Sequence, residues 1–209
     1  MLIPFTNVRD ILLKHKISIE GVFHIGSHDC EELPFYNYIG VANNKIVWVD
    51  ALASKVAESK GRGIPNVFHA VITDKNDEDV AFHVSNNVQS SSVLEFGTHA
   101  QEHPHVFYVD TIRQKSITVD SFFERNGIDA SHMHFWNLDI QGAELLALQG
   151  ATRSLKHAKV IYIEVNEKEL YRGCGLMGDM DAFLSLYGFK WVWTHITEHG
   201  WGDAIYVLD

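Results

Sequence analysis

A short apolar run, Gly21 to Ile25, ends in His24-Ile-Gly26-Ser27-His28-Asp-Cys30. A run of this kind entering a glycine turn reads as a buried strand feeding a tight loop. A second run, Lys45 to Val49, closes on Asp50, twenty-four positions after Gly26. In a parallel α/β sheet a carboxylate at that strand end can reach both hydroxyls of an adenosine ribose. Plain structural turns share this spacing, so spacing alone leaves both readings open. The glycines discriminate among nucleosides, because a GxGxxG loop lets backbone approach a pyrophosphate at a helix N-terminus. Here only Gly26 of such a set is present, and Glu31 and Glu32 occupy the first turn of the next helix. Those carboxylates suit the helix dipole but repel a pyrophosphate. A cationic adenosine ligand without phosphates fits better, which favours S-adenosylmethionine over NAD or ATP.

Further carboxylates follow. Asp139 lies in the run Phe135 to Ile140, at a strand end beside the position of a methyl donor; its alternative role is to cap the following helix. Gly142 lets backbone pass close to ligand or strand. Glu164 ends the run Lys159 to Glu164, and Glu167 follows it; either can be a general base for a hydroxyl or a solvated loop acid. Ala70 and Val71 offer the apolar contact an adenine needs, or plain core packing. Ser90 to Ser92 read as part of a mobile loop over the site, or as a flexible polar turn. His103-Pro-His105 and His132-Met-His134 are close pairs, but neither has a carboxylate or cysteine at ligand spacing, so no metal site is expected. Trp191, Trp193 and Trp201 read as core or edge packing rather than a sugar-stacking platform.

These groups need a scaffold. The sequence predicts a first helix capped by Thr6 or Asn7, with Val8, Ile11 and Leu12 on one face and its end near Ile17. Helices are also expected over 31–38, 52–60, 120–126, 143–155 and 179–187. Strands are expected over 67–71, 79–85 and 116–119, besides the runs already named. The stretch 86–105 has little periodicity, as a functional or mobile loop does. Phe189 to His195 and Ala204 to Leu208 read as a hairpin through Gly200 and Gly202. Strands alternating with helices imply a mostly parallel sheet with right-handed crossovers, helices on both faces, and the hairpin adding an antiparallel strand at the edge. With 209 residues and no repeat or linker, one domain is expected over 1–209: an N-terminal helix in 1–20, a cofactor-binding core in 21–165, and a C-terminal helix and hairpin in 166–209.

The net charge of −10 argues against nucleic acid, since phosphate backbones are repelled and no basic patch overrides the field. Lys55 to Arg62 is interrupted by Glu58 and reads as a solvated helix end. Two distant cysteines, Cys30 and Cys174, form no disulfide framework or zinc spacing. With neither a signal-peptide pattern nor an apolar run of membrane-span length, a cytoplasmic location is expected.

The block Trp136-Asn-Leu-Asp139-Ile-Gln-Gly142-Ala-Glu144, running on through an apolar helix to Gly150-Ala151, resembles the FkbM family of S-adenosylmethionine-dependent methyltransferases. Val47-Trp-Val-Asp50, His69-Ala-Val-Ile-Thr-Asp74, Ser90-Ser-Ser92, Thr118-Val-Asp120 and Ile161-Tyr-Ile-Glu164 extend the resemblance across about 21–165. It implies a Rossmann-like class I methyltransferase sandwich with seven strands. Cofactor contacts are then implied at Gly26, Ser27, His28 and Glu31 in the first loop and at Asp50 and Ala51 after the second strand. Ala70, Val71, Ser91 and Asp139 complete them, and Asp139 and Glu164 become the catalytic pair. The chain departs from the pattern at His24, where an acid usually steadies the methionine end of the cofactor, and at Cys30, where a second glycine usually stands. Glu31 or His28 are the substitutes at hand. The resemblance implies O-methylation of a sugar, glycolipid or other small acceptor. N-methylation, a non-catalytic cofactor-binding module and a nicotinamide oxidoreductase are the alternatives, the last opposed by Glu31, Glu32 and the missing glycines.

Overall fold

A computed structural model describes residues 1–209. In chain order the elements are α1 (Phe5–Lys14), β1 (Gly21–Ile25), α2 (Leu33–Tyr38), β2 (Ile46–Asp50), α3 (Ala53–Gly61), β3 (Val67–His69), β4 (Val71–Ile72) and β5 (Asp79–Ser85). They continue with α4 (His99–Glu102), β6 (Tyr108–Ile117), α5 (Val119–Asn126), β7 (Met133–Leu138), α6 (Glu144–Gln149), β8 (Val160–Asn166), α7 (Met177–Ser185), β9 (Phe189–Ile196) and β10 (Trp201–Leu208). Seven strands form the main sheet in the order β3-β2-β1-β7-β8-β10-β9. β1, β2, β3, β7 and β8 run parallel, and β10 is antiparallel to both its neighbours.

Side chains alternate across the sheet, as the period of two requires. Val47, Val49, Trp136, Ile161 and Ile163 join α5, α6 and α7 in one core. Ile46, Trp48, Phe135, Val160 and Tyr162 join α1, α2 and α3 in the other. Buried on both faces, β1, β2, β7 and β8 therefore read as continuous apolar runs. This is the expected Rossmann-like sandwich. Strand order reverses between β1 and β7, and this switch point is where such sheets bind ligands.

Several local expectations are corrected. The antiparallel strand β10 is not at the edge; it lies between β8 and β9. α1 starts at Phe5 behind Pro4, with no side-chain cap, and ends at Lys14. The run 67–71 divides at Ala70, β3 joining the main sheet and β4 a second sheet of order β4-β6-β5. α6 stops at Gln149, where Gly150 is the C-cap and the Ala151 amide turns to the Leu148 carbonyl; a Cβ on Gly150 would lie 2.4 Å from the Thr73 carbonyl. The strand expected over 116–119 instead spans Tyr108–Ile117. Most of β6 faces solvent, so it carries little hydrophobic alternation.

Candidate functional site

The first loop leaves β1 through an exacting backbone path. Gly26 has φ +86°, and a Cβ there would sit 1.7 Å from the Asp139 carbonyl oxygen. His28 and Cys30 also take positive φ, at 40° and 54°. That path explains why glycine is at home where Cys30 stands. The amides of Gly26 and Ser27 both donate to the Val49 carbonyl, tying the loop to the end of β2. Asp50 then pins the loop from below: its carboxylate accepts from the His28 amide at 2.7 Å and the Leu52 amide at 2.8 Å. Burial raises the Asp50 pKa, and the two amide bonds oppose that rise.

Three connected hollows follow the carboxyl ends of the strands. An apolar slot is lined by Ala51, Ala70, Val71, Phe82, Val93 and Ile140, among others. Next to it lies a mixed section bounded by Gly26, His28, Asp50, Gln89, Ser91 and Asp139. Beyond Gly26 and Asp139 opens a polar cavity of about 360 Å³. Its walls include Ser27, Glu31, Glu32, Glu164 and Asp203, with His99, His103, His105 and Trp201 near its outer side. No lysine or arginine lines it.

Every residue assigned from sequence to the cofactor or the chemistry thus borders one of these hollows. Glu167 does not; it is exposed, and its amide bonds to the Gly200 carbonyl. Ser90, Ser91 and Ser92 are buried, Ser90 and Ser91 border the hollows, and the Ser92 hydroxyl donates to the Gln141 carbonyl at 2.8 Å. Trp191 and Trp193 lie exposed on edge strand β9, whereas Trp201 packs against the Phe96, Leu170 and Tyr171 cluster as expected and also borders the cavity. His24 is buried against Trp48 and Tyr36 and does not line the hollows. Its Nδ1 lies 3.1 Å from the Tyr36 hydroxyl, and burial drives its pKa down to about 3.

Sequence reasoning passed over two residues. Phe82 comes from the solvent-side ribbon β5, yet walls both the apolar slot and the mixed section. Gln141 joins the two predicted catalytic acids: its Nε2 donates to Asp139 Oδ1 and to Glu164 Oε2, each at 2.7 Å. Its position between Asp139 and Gly142 was the available signal. Burial, then the neighbouring charges of Asp139, Glu144 and Asp203, push the Glu164 pKa well above its ordinary value, which disfavours the charged form a resting base requires.

His28, Asp29 and Glu31 bring three potential ligand atoms within 4.8 Å of one another. Asp29 is already engaged by Lys55 at 3.2 Å, so the group is accounted for as an ion-pair cluster. No helix is long and apolar enough to cross a membrane.

A parallel sheet with its switch point at Gly26 and Asp139, a carboxylate at the end of β2 and an acid-lined cavity beyond define a nucleoside-dependent transferase of the Rossmann-like class. The Methyltransferase FkbM domain matches residues 19–191, and the chain belongs to the FkbM family of S-adenosylmethionine-dependent methyltransferases. It is 27% identical over 114 residues to the 2-O-methyltransferase NoeI of Sinorhizobium fredii, a match covering 51% of this chain and 46% of that protein. The matched part thus spans about half the length of this curated relative. Among solved structures, magnesium protoporphyrin IX methyltransferase from Synechocystis is similar over 98% of this chain and 78% of its own, at 12% identity and TM-score 0.49. A methyltransferase from Aquifex aeolicus is similar over 96% and 89%, at 12% identity and TM-score 0.44.

The residues present fit S-adenosylmethionine. The apolar slot suits adenine, the Asp50 carboxylate a ribose, and the acid-lined cavity a sulfonium and an ammonium. The Ser27 hydroxyl is buried at the junction with no partner in the chain, and so is free for a ligand.

Proposed function

We propose that this methyltransferase acts on a hydroxyl of an uncharged small or carbohydrate-like acceptor held in the 360 Å³ cavity. The observation that carries this reading is the lining of that cavity. Carboxyls from Glu31, Glu32, Asp139, Glu164 and Asp203 border it, no lysine or arginine does, and the Met1 amino group there is paired with Glu32, so a phosphate, sulfate or carboxylate on the acceptor would be repelled. Burial and then the nearby His103 drive the His99 pKa down to about 4, so near neutral pH it adds no positive charge to the wall. The name of the relative NoeI, a 2-O-methyltransferase, supports oxygen as the nucleophile. The cofactor supplies the methyl group. The chain's part is alignment: Gly26, Asp50 and Asp139 hold the donor, and the cavity holds the acceptor oxygen in line with the methyl. Asp139 touches both ligands, and Glu164 is on the acceptor side, where it takes the hydroxyl proton.

A screen with labelled methyl donor against neutral sugars, their phosphorylated forms and primary amines tests this. Label transfer to neutral hydroxyls is expected. Preference for anionic or amine acceptors overturns the reading. Replacing Glu164 with Gln should lower turnover by about 10²–10⁴-fold at nearly unchanged cofactor affinity, whereas Asp139→Asn should affect both. The burial of His24, away from the hollows, favours one second reading, a cofactor-binding module without turnover. Binding without label transfer across that screen is the outcome it requires.

A further inference from the structure

Gln141 is held on every side. Both hydrogens of its amide nitrogen go to carboxyls, Asp139 and Glu164, and its side-chain oxygen accepts from the Tyr171 hydroxyl at 2.8 Å. Its backbone occupies the left-handed region at φ 59°, fixed by the bond from Ser92. Flipping or withdrawing the amide would break these bonds, so Gln141 holds the two acids beside each other. Two more buried carboxyls face them. Glu144 on α6 accepts from the Ile140 amide through one oxygen and leaves the other without a partner. Asp203 on β10 accepts from the Tyr162 hydroxyl on β8 and from the Leu2 amide. Tyr171 and Tyr162, the other titratable groups against Glu164 and Asp203, remain neutral phenols because burial raises both. The amino group of Met1 lies 3.6 Å from Glu32 across the cavity. Buried carboxyls gathered without a lysine or arginine cannot all ionise, and at least one keeps a proton.

We propose that Glu164 keeps that proton until a cation fills the cavity, so that binding of the methyl donor itself converts Glu164 into the base. This rests on the methyl-transfer reading above and deepens it. With a sulfonium beside Asp139, the carboxyl cluster faces a positive charge, and Glu164 releases its proton to solvent. During transfer the sulfur–carbon bond breaks with its electron pair left on sulfur, the bond from acceptor oxygen to methyl forms, and the hydroxyl proton passes to Glu164. The demethylated product is a neutral thioether, so Glu164 is again protonated beside an uncharged sulfur. One proton leaves on loading and one returns from the acceptor, which closes the cycle.

The experiment is calorimetric binding of S-adenosylmethionine and S-adenosylhomocysteine to the full chain, in two buffers of different ionisation enthalpy. It is run near pH 6.5, below the usual range of about 7.7–8.0 for α-amino groups, so that both ligands keep that proton. The two ligands differ in the sulfur charge and its methyl. About one more proton should be released by the sulfonium form than by the thioether, and Glu164→Gln should abolish the difference. Infrared difference spectra of the wild-type protein give an independent measurement should that variant fold poorly. The carbonyl band of a protonated acid should vanish with the sulfonium form and persist with the thioether. Equal proton release by both ligands, a difference that survives in Glu164→Gln, or an acid band unaffected by either ligand overturns the proposal. If neither ligand binds, the cofactor assignment fails first and this inference falls with it.

Discussion

Asp50→Ala is the most informative single change, because it tests the anchor of the first loop and the proposed ribose contact at once. Its carboxylate receives the His28 and Leu52 amides at 2.7 and 2.8 Å, and the residue is 9% exposed. Alanine leaves both donors without that acceptor. Hydrogen bonds to a charged group contribute roughly 1.5–3 kcal/mol each, and water entering the gap recovers part of this, so a net loss of about 2–4 kcal/mol is expected without ligand. For a chain of this size that lowers the melting midpoint by about 5–15 °C. The second effect is on binding. Loss of the ribose contacts should weaken S-adenosylhomocysteine by another 1.5–3 kcal/mol, roughly 10- to 150-fold. Denaturant titration of the free protein reads the first quantity, and calorimetry well below the new midpoint reads the second. An unchanged unfolding midpoint would refute the claim that Asp50 anchors the first loop. Unchanged affinity in a destabilised protein would refute the ribose assignment while sparing the anchor.

Gly26→Ala should prevent β1 and β7 from closing at the switch point, since the new Cβ would meet the Asp139 carbonyl at 1.7 Å and φ is +86°. A normal thermal midpoint with normal cofactor affinity would contradict the close approach. Acid should destabilise the protein through His24. Unfolded, an imidazole takes its proton near about 6.5; in the fold it resists until about 3. The unfolded chain therefore binds more protons in this window, and stability drops as pH falls from 6.5 toward 3, by about 1.4 kcal/mol per unit well inside it. Urea midpoints at pH 7.5 and 5 should show this loss in the wild type and much less of it in His24→Gln; equal losses would count against it. Exhaustive chelation should leave methyl transfer intact on any acceptor found, because in the His28, Asp29 and Glu31 group Asp29 is paired with Lys55 and His28 lies beside both acids. Activity lost to chelator and restored by magnesium or zinc would reverse that assignment.

Much of the scaffold was readable along the chain, for a local reason. Strands buried on both faces have to be apolar nearly throughout, so Gly21–Ile25, Ile46–Asp50, Met133–Leu138 and Val160–Asn166 declare themselves; Asp50 closes one, Asp139 follows another, and Glu164 lies two residues before the end of the last, all toward the sheet's carboxyl end. The positive-φ turn at Gly26 and the missing partner glycines likewise marked the loop and its cationic ligand. What the sequence could not show depends on groups far apart along it. The alternation of Val80, Phe82 and Val84 marked β5, but β6 faces solvent and carries little apolar alternation, so its length, its pairing with β5 and the place of Phe82 in the site wall left no local trace. The place of β10 between β8 and β9 is a choice of partners that the strand's own residues do not encode. The raised pKa of Glu164 likewise comes from the tertiary structure alone. A lone glutamate near a strand end is a base by type, and only its burial and the convergence of Asp139, Glu144 and Asp203 around it push that pKa up.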